Sequence, residues 1–551
     1  MSRLAEINSI ETEALAASVK KGRGLSLTRA QALLTTALAL LVILGFGLRL
    51  RGIEQIGFAE DEINKLEAVR AYERGDISPN AEHPMLMKAL MYASMQTAHA
   101  WNARRVEKIS DEASLRFPNI VFGALTVIPI FLLTAALFDR RTALAAAAFW
   151  AFGINAITYN RIAKEDTLLV FFMLFGFYFY LRAKQTINFD IKLKRRYYGL
   201  SGAAFGLMMA SKYFPHYFGL NMLYHHLYHV RERQPGEPQG KTPLLFYICV
   251  VIFFLVANPA VFLPQTWQYL NAYTSEKLLT HTGYLMGAQL YKNNVSATPF
   301  RGTPFYFYAL FLAIKVPIPV ILAFVVGLVQ SLRRWRHPGY GFLLLTFALW
   351  IVPYSLFGSK WLRYTLSLMP FVYMIAAVGL MVLIRWVAGW FKSAGAKPAS
   401  RFAIAVMLLV FMALPAWTAY ANGPHYALYT SALGAGRAGY FFPHDEFYDD
   451  GLREAISLIC EQAPQGATIA HETPAVLRYY LGERGRTDLQ SRALSDPKFK
   501  LEEASRPLYV IIQRGRTYFE NVEKTREVRA RGTKVYEGLV RGSVAVEVYK
   551  L

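Results

Sequence analysis

The chain has 551 residues, of which 54% are hydrophobic and 15% aromatic, and it carries a formal net charge of +22. This composition excludes an ordinary soluble globule and is typical of a protein with many membrane spans. It also argues against nucleic-acid binding, because most lysines and arginines lie in short stretches between apolar runs, where topology and anionic lipid account for them. Cys249 and Cys460 indicate neither a disulfide framework nor a metal cluster.

The first 30 residues are polar and basic and predict a cytoplasmic segment, not a cleavable signal, because the apolar run after them is long enough to stay in the membrane. A membrane span needs roughly 20 apolar residues. We predict about eleven spans, two of which form a hairpin split by Lys212. They are residues 31–50, 117–138, 142–159, 167–181, 197–211, 213–230, 242–263, 305–330, 341–358, 364–384 and 402–420.

A further stretch, residues 83–101, is predicted to lie along the outer membrane face. Counting it as a span would move most basic loops outside, against the tendency of lysine and arginine to remain in the cytoplasm. The N-terminus then lies inside, and residues 51–116 and 264–304 form outer loops. This face also carries cations for which an anionic lipid phosphate is the simplest reason: Arg161, Lys164, Lys212, Lys360 and Arg363.

From about residue 424 the composition changes to that of a small soluble domain. "DDGLREAISLICEQA" has helical apolar spacing, and "TYFENVEKTREVRARG" predicts a charged helix. "ATIAHE" and "PLYVIIQR" are typical of strands, and "KVYEGLVRGSVAVEVYKL" is typical of a closing hairpin. We therefore predict a cytoplasmic segment 1–30, an α-helical polytopic transmembrane domain 31–423, and a small outer α/β domain 424–551.

Three consecutive acids, Glu60 to Glu62, follow the first span by a few residues. Acids in the first turn of a helix are electrostatically favourable, so a solvated helix start is one explanation for them. Their surroundings favour a catalytic site. The same outer loop contains His83 and Lys88, and the next outer segment, "YNRIAKED", contains Arg161 and Asp166. Acids and cations that recur on one face indicate a polar site at the top of a helix bundle.

The order of these motifs resembles that of the protein O-mannosyltransferases: "DE" after the first span, "HPMLMK" in the same loop, "RIAKED" before a later span, and "GLMMASK" ending at Lys212. The chain is also similar to the lipid A aminoarabinose transferases, which share the GT-C fold. "KVPIPVI", "RYTLSLMPF" and "PHYALY" match later landmarks of bacterial relatives, so the resemblance covers roughly residues 31–430.

Several departures from the family patterns concern the sugar and the acceptor, not the reaction class. The mannosyltransferase pattern has a second proline where this chain has Met85. The outer loop 264–304 is too short for the lumenal insert of the eukaryotic enzymes. The aminoarabinose transferases carry lysine at the position of His83 and arginine at that of Asn64.

The resemblance implies an inverting GT-C glycosyltransferase. It would move a mannose-like sugar from a polyprenyl-phosphate donor to a hydroxyl acceptor, with protein Ser/Thr as the leading acceptor. The implied location is the outer face of a bacterial cytoplasmic membrane. Phosphate is a good leaving group, so this chemistry needs cations for the departing charge and a base for the acceptor hydroxyl, but no general acid.

The resemblance also assigns roles to individual residues. Asp61 is the predicted base, and Glu62 and Asp166 are further acidic site residues. The predicted ligands of the donor phosphate are Arg161, Lys212 and Arg363. His83 and Lys88 are additional site candidates, with a structural His-Pro turn and a lysine that extends to the membrane surface as the alternative.

Metal dependence stays open at this stage. Asp166 either orients the acceptor or binds a divalent metal, or it is a helix N-terminal acid paired with Arg161. The motif "YHHLYH" is not assigned as a metal site, because it falls at the cytoplasmic end of a span, away from the other polar groups.

Other functions compete with this one. Within the enzyme class, the alternative acceptor is a lipid or an envelope glycan such as lipid A. A lipid transporter or flippase places ionisable residues near the bilayer midplane and often shows inverted repeats, whereas here the charges lie at span ends and no repeat is visible. A receptor or scaffold built on residues 424–551 would not need many spans with outer-face acids. The sequence therefore favours the enzyme.

Overall fold

The computed structural model describes residues 28–238, 240–275, 283–294, 301–393 and 397–551, so most of the predicted cytoplasmic segment 1–30 lies outside the described residues. The part that precedes the C-terminal domain is largely helical. Its helices are α1 (Arg29–Leu50), α2 (Glu60–Tyr72), α3 (Met85–Asn102), α4 (Asp111–Leu125), α5 (Val127–Leu137), α6 (Arg140–Ala151), α7 (Ile154–Asn160), α8 (Asp166–Gln185), α9 (Ile191–Ser211), α10 (His216–Leu227), α11 (Leu244–Ala257), α12 (Pro264–Thr274), α13 (Phe307–Lys315), α14 (Ile318–Arg333), α15 (Pro338–Leu356), α16 (Met369–Ser393) and α17 (Lys397–Asn422).

Among the described residues, six helices are long and apolar enough to cross a membrane. They are α1, α4 with α5, α8, α15, most of α16 and most of α17. The bent pair α6 and α7 makes a seventh if the two count as one span. The chain is therefore a multi-pass membrane protein, although the predicted number of eleven spans is not confirmed. The helix that contains most of the stretch 83–101, α3, is not among these candidates.

Two predicted spans do not form a single straight helix. The run 142–159 divides into α6 and α7 with a bend of 54°. There Gly153 packs so closely on Tyr373 that a Cβ atom would lie 2.2 Å from the tyrosine hydroxyl oxygen. The run 305–330 divides into α13 and α14 at Pro317, because proline lacks the N–H of the helix ladder and disfavours helical backbone in the residue before it. The sequence predicted both runs as spans but did not predict the breaks within them.

The C-terminal part is built on a five-stranded sheet with the order β4-β3-β5-β7-β6. Its elements are α18 (Pro443–Phe447), α19 (Leu452–Gln462), β3 (Thr468–His471), α20 (Pro474–Glu483), β4 (Gln490–Ala493), β5 (Leu508–Gln513), α21 (Val522–Arg531), β6 (Thr533–Val540) and β7 (Ser543–Lys550). A separate hairpin, β1 (Gly283–Met286) with β2 (Gln289–Lys292), lies in the predicted outer loop 264–304.

The sheet has a topological switch point. β3 is parallel to β4 and β5, whereas β7 is antiparallel to β5 and β6. The chain leaves β3 for β4 on one side and then crosses to β5 on the other. The crevice outside the carboxyl ends of β3 and β5 is therefore the place where an open α/β sheet ordinarily binds its ligand.

The C-terminal part shares one apolar core with the helices that follow α1. Ile456 of α19 belongs to the same cluster of buried side chains as Phe58, just before α2, and Leu66 of α2. The Tyr480 hydroxyl accepts a hydrogen bond from the Phe58 N–H at 2.7 Å and donates one to Glu112 at 2.9 Å. We refer to the face of the helix bundle that bears α2, α3 and the C-terminal sheet as the domain face.

Candidate active site

Asp61 is the second residue of α2, and its carboxylate meets groups from three distant parts of the chain on the domain face. The Nζ atom of Lys164 lies 2.8 Å from Asp61 Oδ2, and the Nη1 atom of Arg363 lies 3.3 Å from the same oxygen. The hydroxyl of Tyr448 donates a hydrogen bond to it at 2.6 Å. The Asp61 side chain is 31% exposed. It is therefore held by charged partners and still accessible from outside.

These neighbours determine the ionisation of Asp61. Burial alone would favour the neutral acid, but Lys164 and Arg363 outweigh it, together with the Tyr448 hydrogen bond, and hold the pKa of the Asp61 carboxyl well below its ordinary value. Asp61 is therefore a carboxylate at neutral pH, which is the form that can accept a proton.

A second acid–cation pair lies beside the first. The Nζ atom of Lys212, just after α9, lies 2.6 Å from Oδ1 of Asp166 at the start of α8. The Lys212 Nζ atom also lies 5.4 Å from the centre of the Tyr364 ring, and the Arg363 guanidinium lies 5.5 Å from that centre. Tyr364 thus contacts a cation of each pair. We refer to Asp61, Lys164, Arg363, Asp166 and Lys212 as the acid–cation cluster.

Glu62, which the sequence placed beside Asp61 as a site residue, is turned into the protein interior. Its two carboxylate oxygens accept hydrogen bonds from Nε and Nη2 of Arg116 at 2.8 and 2.6 Å. The N–H of Ala163 donates to Oε1 at 2.9 Å. The Glu62 side chain is 1% exposed. The structure therefore separates Glu62 from the acid–cation cluster and gives it a structural role.

Arg161 also lies outside the acid–cation cluster, so its role as a phosphate ligand stays a prediction. Its Nη1 atom donates to the carbonyl oxygens of Arg49 and Arg51, at 2.7 and 2.6 Å, and its guanidinium lies over the ring of Tyr426. These contacts hold the end of α1. Lys360 is likewise buried, and its Nζ atom donates to backbone carbonyls. The predicted pairing of Asp166 with Arg161 is not formed, since Asp166 pairs with Lys212.

Lys88 supports a turn. It is fully buried, and its Nζ atom donates to the carbonyl oxygens of Pro79, Asn80 and His83 at 3.4, 2.6 and 3.0 Å. Of the two interpretations from the sequence, these contacts support the structural turn, but the lysine does not extend to the membrane surface. Lys88 therefore shapes the loop from inside.

His83 lies near the acid–cation cluster, next to Glu165. Its Nδ1 atom lies 3.9 Å from Oε1 of Glu165, whose carboxylate is buried and paired with Lys65 at 2.6 Å. Burial lowers the pKa of His83 well below its ordinary value, although the Glu165 carboxylate opposes this, so the imidazole is neutral at neutral pH. His83, whose side chain is 20% exposed, thus lies against the buried Glu165–Lys65 pair, which precedes Asp166 in the chain.

Sequence reasoning did not assign four residues of this region to the site: Lys65, Lys164, Glu165 and Tyr448, of which Lys164 was named only among the outer-face cations. Lys164 and Glu165 lie within the quoted motif "YNRIAKED", and Lys65 follows Asp61 by one helical turn. These three could have been found from their spacing. Tyr448 is 387 residues from Asp61 and carries no local signal.

The described residues do not fit a divalent metal at this site. They contain no group of three or more histidine, cysteine, aspartate or glutamate side chains placed to hold a metal ion. Asp61 and Asp166 each face cationic side chains, which compete with a metal for the carboxylate oxygens. We therefore derive no chemical step through a metal.

The sequence matches a family model over residues 97–262, which include α4 to α11, Lys164, Asp166 and Lys212. That family is described as dolichyl-phosphate-mannose-protein mannosyltransferase. A comparison with curated protein sequences gives no significant match.

Solved structures resemble the chain over most of its length. An oligosaccharyltransferase of Archaeoglobus fulgidus aligns with a TM-score of 0.50 at 12% identity, over 87% of this chain and 69% of that one. ArnT from Cupriavidus metallidurans aligns with a TM-score of 0.48 at 14% identity, over 94% of this chain and 98% of that one. At such identities the likeness to the archaeal enzyme shows the fold alone. The chain therefore has the GT-C fold, as the motifs predicted.

Proposed function

We propose that this protein is an inverting glycosyltransferase that moves a sugar from a polyprenyl-phosphate donor to a hydroxyl acceptor at the domain face of the membrane. The observation that carries the proposal is the position of Asp61. It is a carboxylate, partly exposed, and it lies directly beside the cations that a donor phosphate requires.

In the proposed reaction, Asp61 acts as the general base. The acceptor oxygen attacks the anomeric carbon of the sugar and forms a new carbon–oxygen bond, while its proton passes to the Asp61 carboxylate. The bond between the anomeric carbon and the phosphate oxygen breaks, and its electron pair leaves with the phosphate. A single displacement of this kind inverts the anomeric configuration.

The cations of the cluster stabilise the leaving group. Arg363, Lys164 and Lys212 can place positive charge around the phosphate oxygens as charge develops on them. A donor phosphate competes with Asp61 and Asp166 for these same cations. Each cation that turns to the phosphate makes the carboxylate it leaves more basic, so donor binding prepares Asp61 to accept a proton.

For the sugar and the acceptor, we propose mannose and protein Ser/Thr hydroxyls. This choice is supported by the description of the matching family model, which names dolichyl-phosphate-mannose as donor and protein as acceptor. We further propose that the membrane is the bacterial cytoplasmic membrane and that the domain face is its outer face.

The proposal is tested by incubating the purified protein with labelled polyprenyl-phosphate sugars, of which the mannose compound is the expected donor. Ser/Thr peptides are the acceptors, and lipid acceptors are used in a parallel series. We expect transfer by the wild type and a loss of about 10²–10⁴-fold in Asp61→Asn, because a general base contributes about that factor. Donor binding should persist. Glu67→Gln, which alters an exposed acid on the same helix, is the matched control. Absence of transfer from every donor, or normal turnover by Asp61→Asn, contradicts the proposal.

A further inference from the structure

The segment that leads from α18 into α19 has an unusual backbone. Tyr448 and Asp449 have positive φ angles of 44° and 68°, and Gly451 follows with 83°. Left-handed backbone is uncommon for residues other than glycine, and it persists only where the surroundings hold it. Two such residues in succession therefore require contacts that fix this segment.

Those contacts come from the switch point of the sheet. The Asp449 carboxylate accepts hydrogen bonds from Nε of Arg516 at 2.7 Å and from Nε2 of Gln513 at 2.8 Å, just beyond and at the end of β5. The backbone N–H of Glu60 donates to the same carboxylate at 3.0 Å, and Nη1 of Arg516 donates to Glu60 Oε2 at 2.9 Å. Asp449 and the first residue of α2 are thus bound together at the carboxyl end of β5.

This arrangement brings Tyr448 to the proposed base. Asp449 follows Tyr448 in the chain, and Glu60 precedes Asp61. The Asp449 carboxylate binds both Arg516 and the N–H of Glu60, so it holds these two segments together. The Tyr448 hydroxyl then donates to Asp61 Oδ2 at 2.6 Å. Burial and the Asp61 carboxylate both raise the pKa of Tyr448 well above its ordinary value, so the phenol stays protonated and remains a donor.

We propose that Tyr448 is a positioning residue for Asp61, and that the C-terminal domain completes the active site by fixing Tyr448 through the Asp449–Arg516 pair. This inference rests on the proposed role of Asp61 as the base. The hydrogen bond directs one carboxylate oxygen toward Tyr448 and so orients the carboxylate for the acceptor. The C-terminal domain is then part of the catalytic machinery, not a separate binding module.

The other charged groups around Asp61 do not replace this contact. Lys164 and Arg363 face the same oxygen from the segment before α8 and from the segment before α16, and Glu60 and Lys65 lie nearby on α2 itself. The two facing cations are also the proposed ligands of the donor phosphate. Tyr448 carries no charge to offer a phosphate, so its hydrogen bond continues to orient Asp61 when the cations turn to the donor.

The test compares Tyr448→Phe with Tyr480→Phe. Each variant removes one hydroxyl that joins the C-terminal domain to the helix bundle, but only Tyr448 contacts Asp61. We expect Tyr448→Phe to lower kcat about tenfold, the loss that corresponds to roughly 1.4 kcal/mol of transition-state stabilisation. Its KM for the donor should stay within twofold of the wild-type value. Tyr480→Phe should lower thermal stability and leave kcat unchanged.

A second measurement does not depend on activity. Thermal unfolding in detergent is compared for Asp61→Ala, Tyr448→Phe and the double variant. If the two side chains interact as described, the losses of thermal stability are not additive. The double variant is then only slightly less stable than the less stable of the two single variants. Additive losses together with unchanged kcat would overturn the inference, as would an equal loss of kcat in Tyr480→Phe.

The same experiments separate this inference from the proposed function. If the wild type transfers no sugar from any donor, the proposed function fails, and the thermal cycle still decides whether Tyr448 holds Asp61. If the wild type is active and Tyr448→Phe has wild-type kinetics, only the inference about Tyr448 fails.

Discussion

Asp61 and Glu62 are neighbours in the chain, but they belong to two charge clusters of opposite character. Glu62 is fully buried and is held by the planar fork of Arg116, which makes two hydrogen bonds to its carboxylate. Asp61 is partly exposed and faces Lys164 and Arg363 through a single oxygen. The first cluster is closed on itself, whereas the second can exchange its partners.

The difference shows why two neighbouring acids can have different roles, one structural and one proposed to be catalytic. A bidentate arginine in the interior fixes a carboxylate and leaves it no capacity for a ligand. Lysine is a compact point charge on a flexible stem, so a carboxylate paired with it can yield the lysine to a phosphate. Nη1 and Nη2 of Arg116 also donate three hydrogen bonds to the carbonyl oxygens of Ile53, Ile56 and Gly57, which anchors the loop that precedes α2.

The largest effect on folding is expected in the closed cluster. Arg116→Met should lower the free energy of unfolding by about 3–5 kcal/mol, because it leaves Glu62 buried without its partner. Thermal unfolding in detergent and yield of monodisperse protein measure this loss. Arg70→Met, which removes a largely exposed pair with Asp111, is the control and should cost less than about 1 kcal/mol. Equal stability of the two variants would show that the Glu62–Arg116 pair is not structural.

A smaller effect, on binding, distinguishes Arg363 of the acid–cation cluster from Arg161, which lies outside it. Arg363→Gln should weaken binding of a labelled polyprenyl phosphate about ten- to a hundredfold, as expected for losing one contact of about 1.5–3 kcal/mol to a charged group. Lys212→Ala should act in the same direction. Arg161→Gln should leave the affinity of the folded fraction unchanged, since its guanidinium binds backbone carbonyls. If Arg161→Gln weakened donor binding as much as Arg363→Gln, the placement of Arg161 outside the phosphate site would be wrong.

The sequence predicted one part of this comparison well. The order of short motifs identified Asp61, Asp166, Lys212 and Arg363, and the structure brings all four together. Helix formation and apolar patterning are local properties, so the positions of most helices could also be predicted. The breaks at Gly153 and Pro317 were missed because apolar composition alone does not distinguish a continuous span from a broken one.

The other residues of the site could not be predicted, because their contacts depend on the direction in which each side chain points. A single sequence does not specify that direction. Successive residues of a helix point about 100° apart, so Asp61 and Glu62 necessarily face different surroundings. Arg161 and Lys164 belong to one short loop, and only its fold decides which of them reaches Asp61. Tyr448 reaches the site through the docking of a whole domain, for which the chain carries no local pattern.

The smallest expected effect concerns how catalysis by the acid–cation cluster depends on pH. Because the pKa of Asp61 is held well below its ordinary value, the wild type keeps its base ionised far into the acidic range. Lys164→Gln removes one of the two cations responsible, so the pKa of Asp61 rises. The carboxylate is then protonated at a higher pH, and the acid limb of the kcat/KM profile moves upward.

Lys108→Gln is the control for this measurement, because Lys108 is exposed in the same segment between α1 and α4 and its charge is not among those that lower the pKa of Asp61. Its profile should coincide with that of the wild type. Arg363 and Tyr448 remain in Lys164→Gln, so the limb should move only part of the way toward that of an ordinary aspartate. A Lys164→Gln profile that coincides with the wild type would mean that Lys164 does not control the ionisation of the base. The low pKa of Asp61 would then depend on Arg363 and Tyr448 alone.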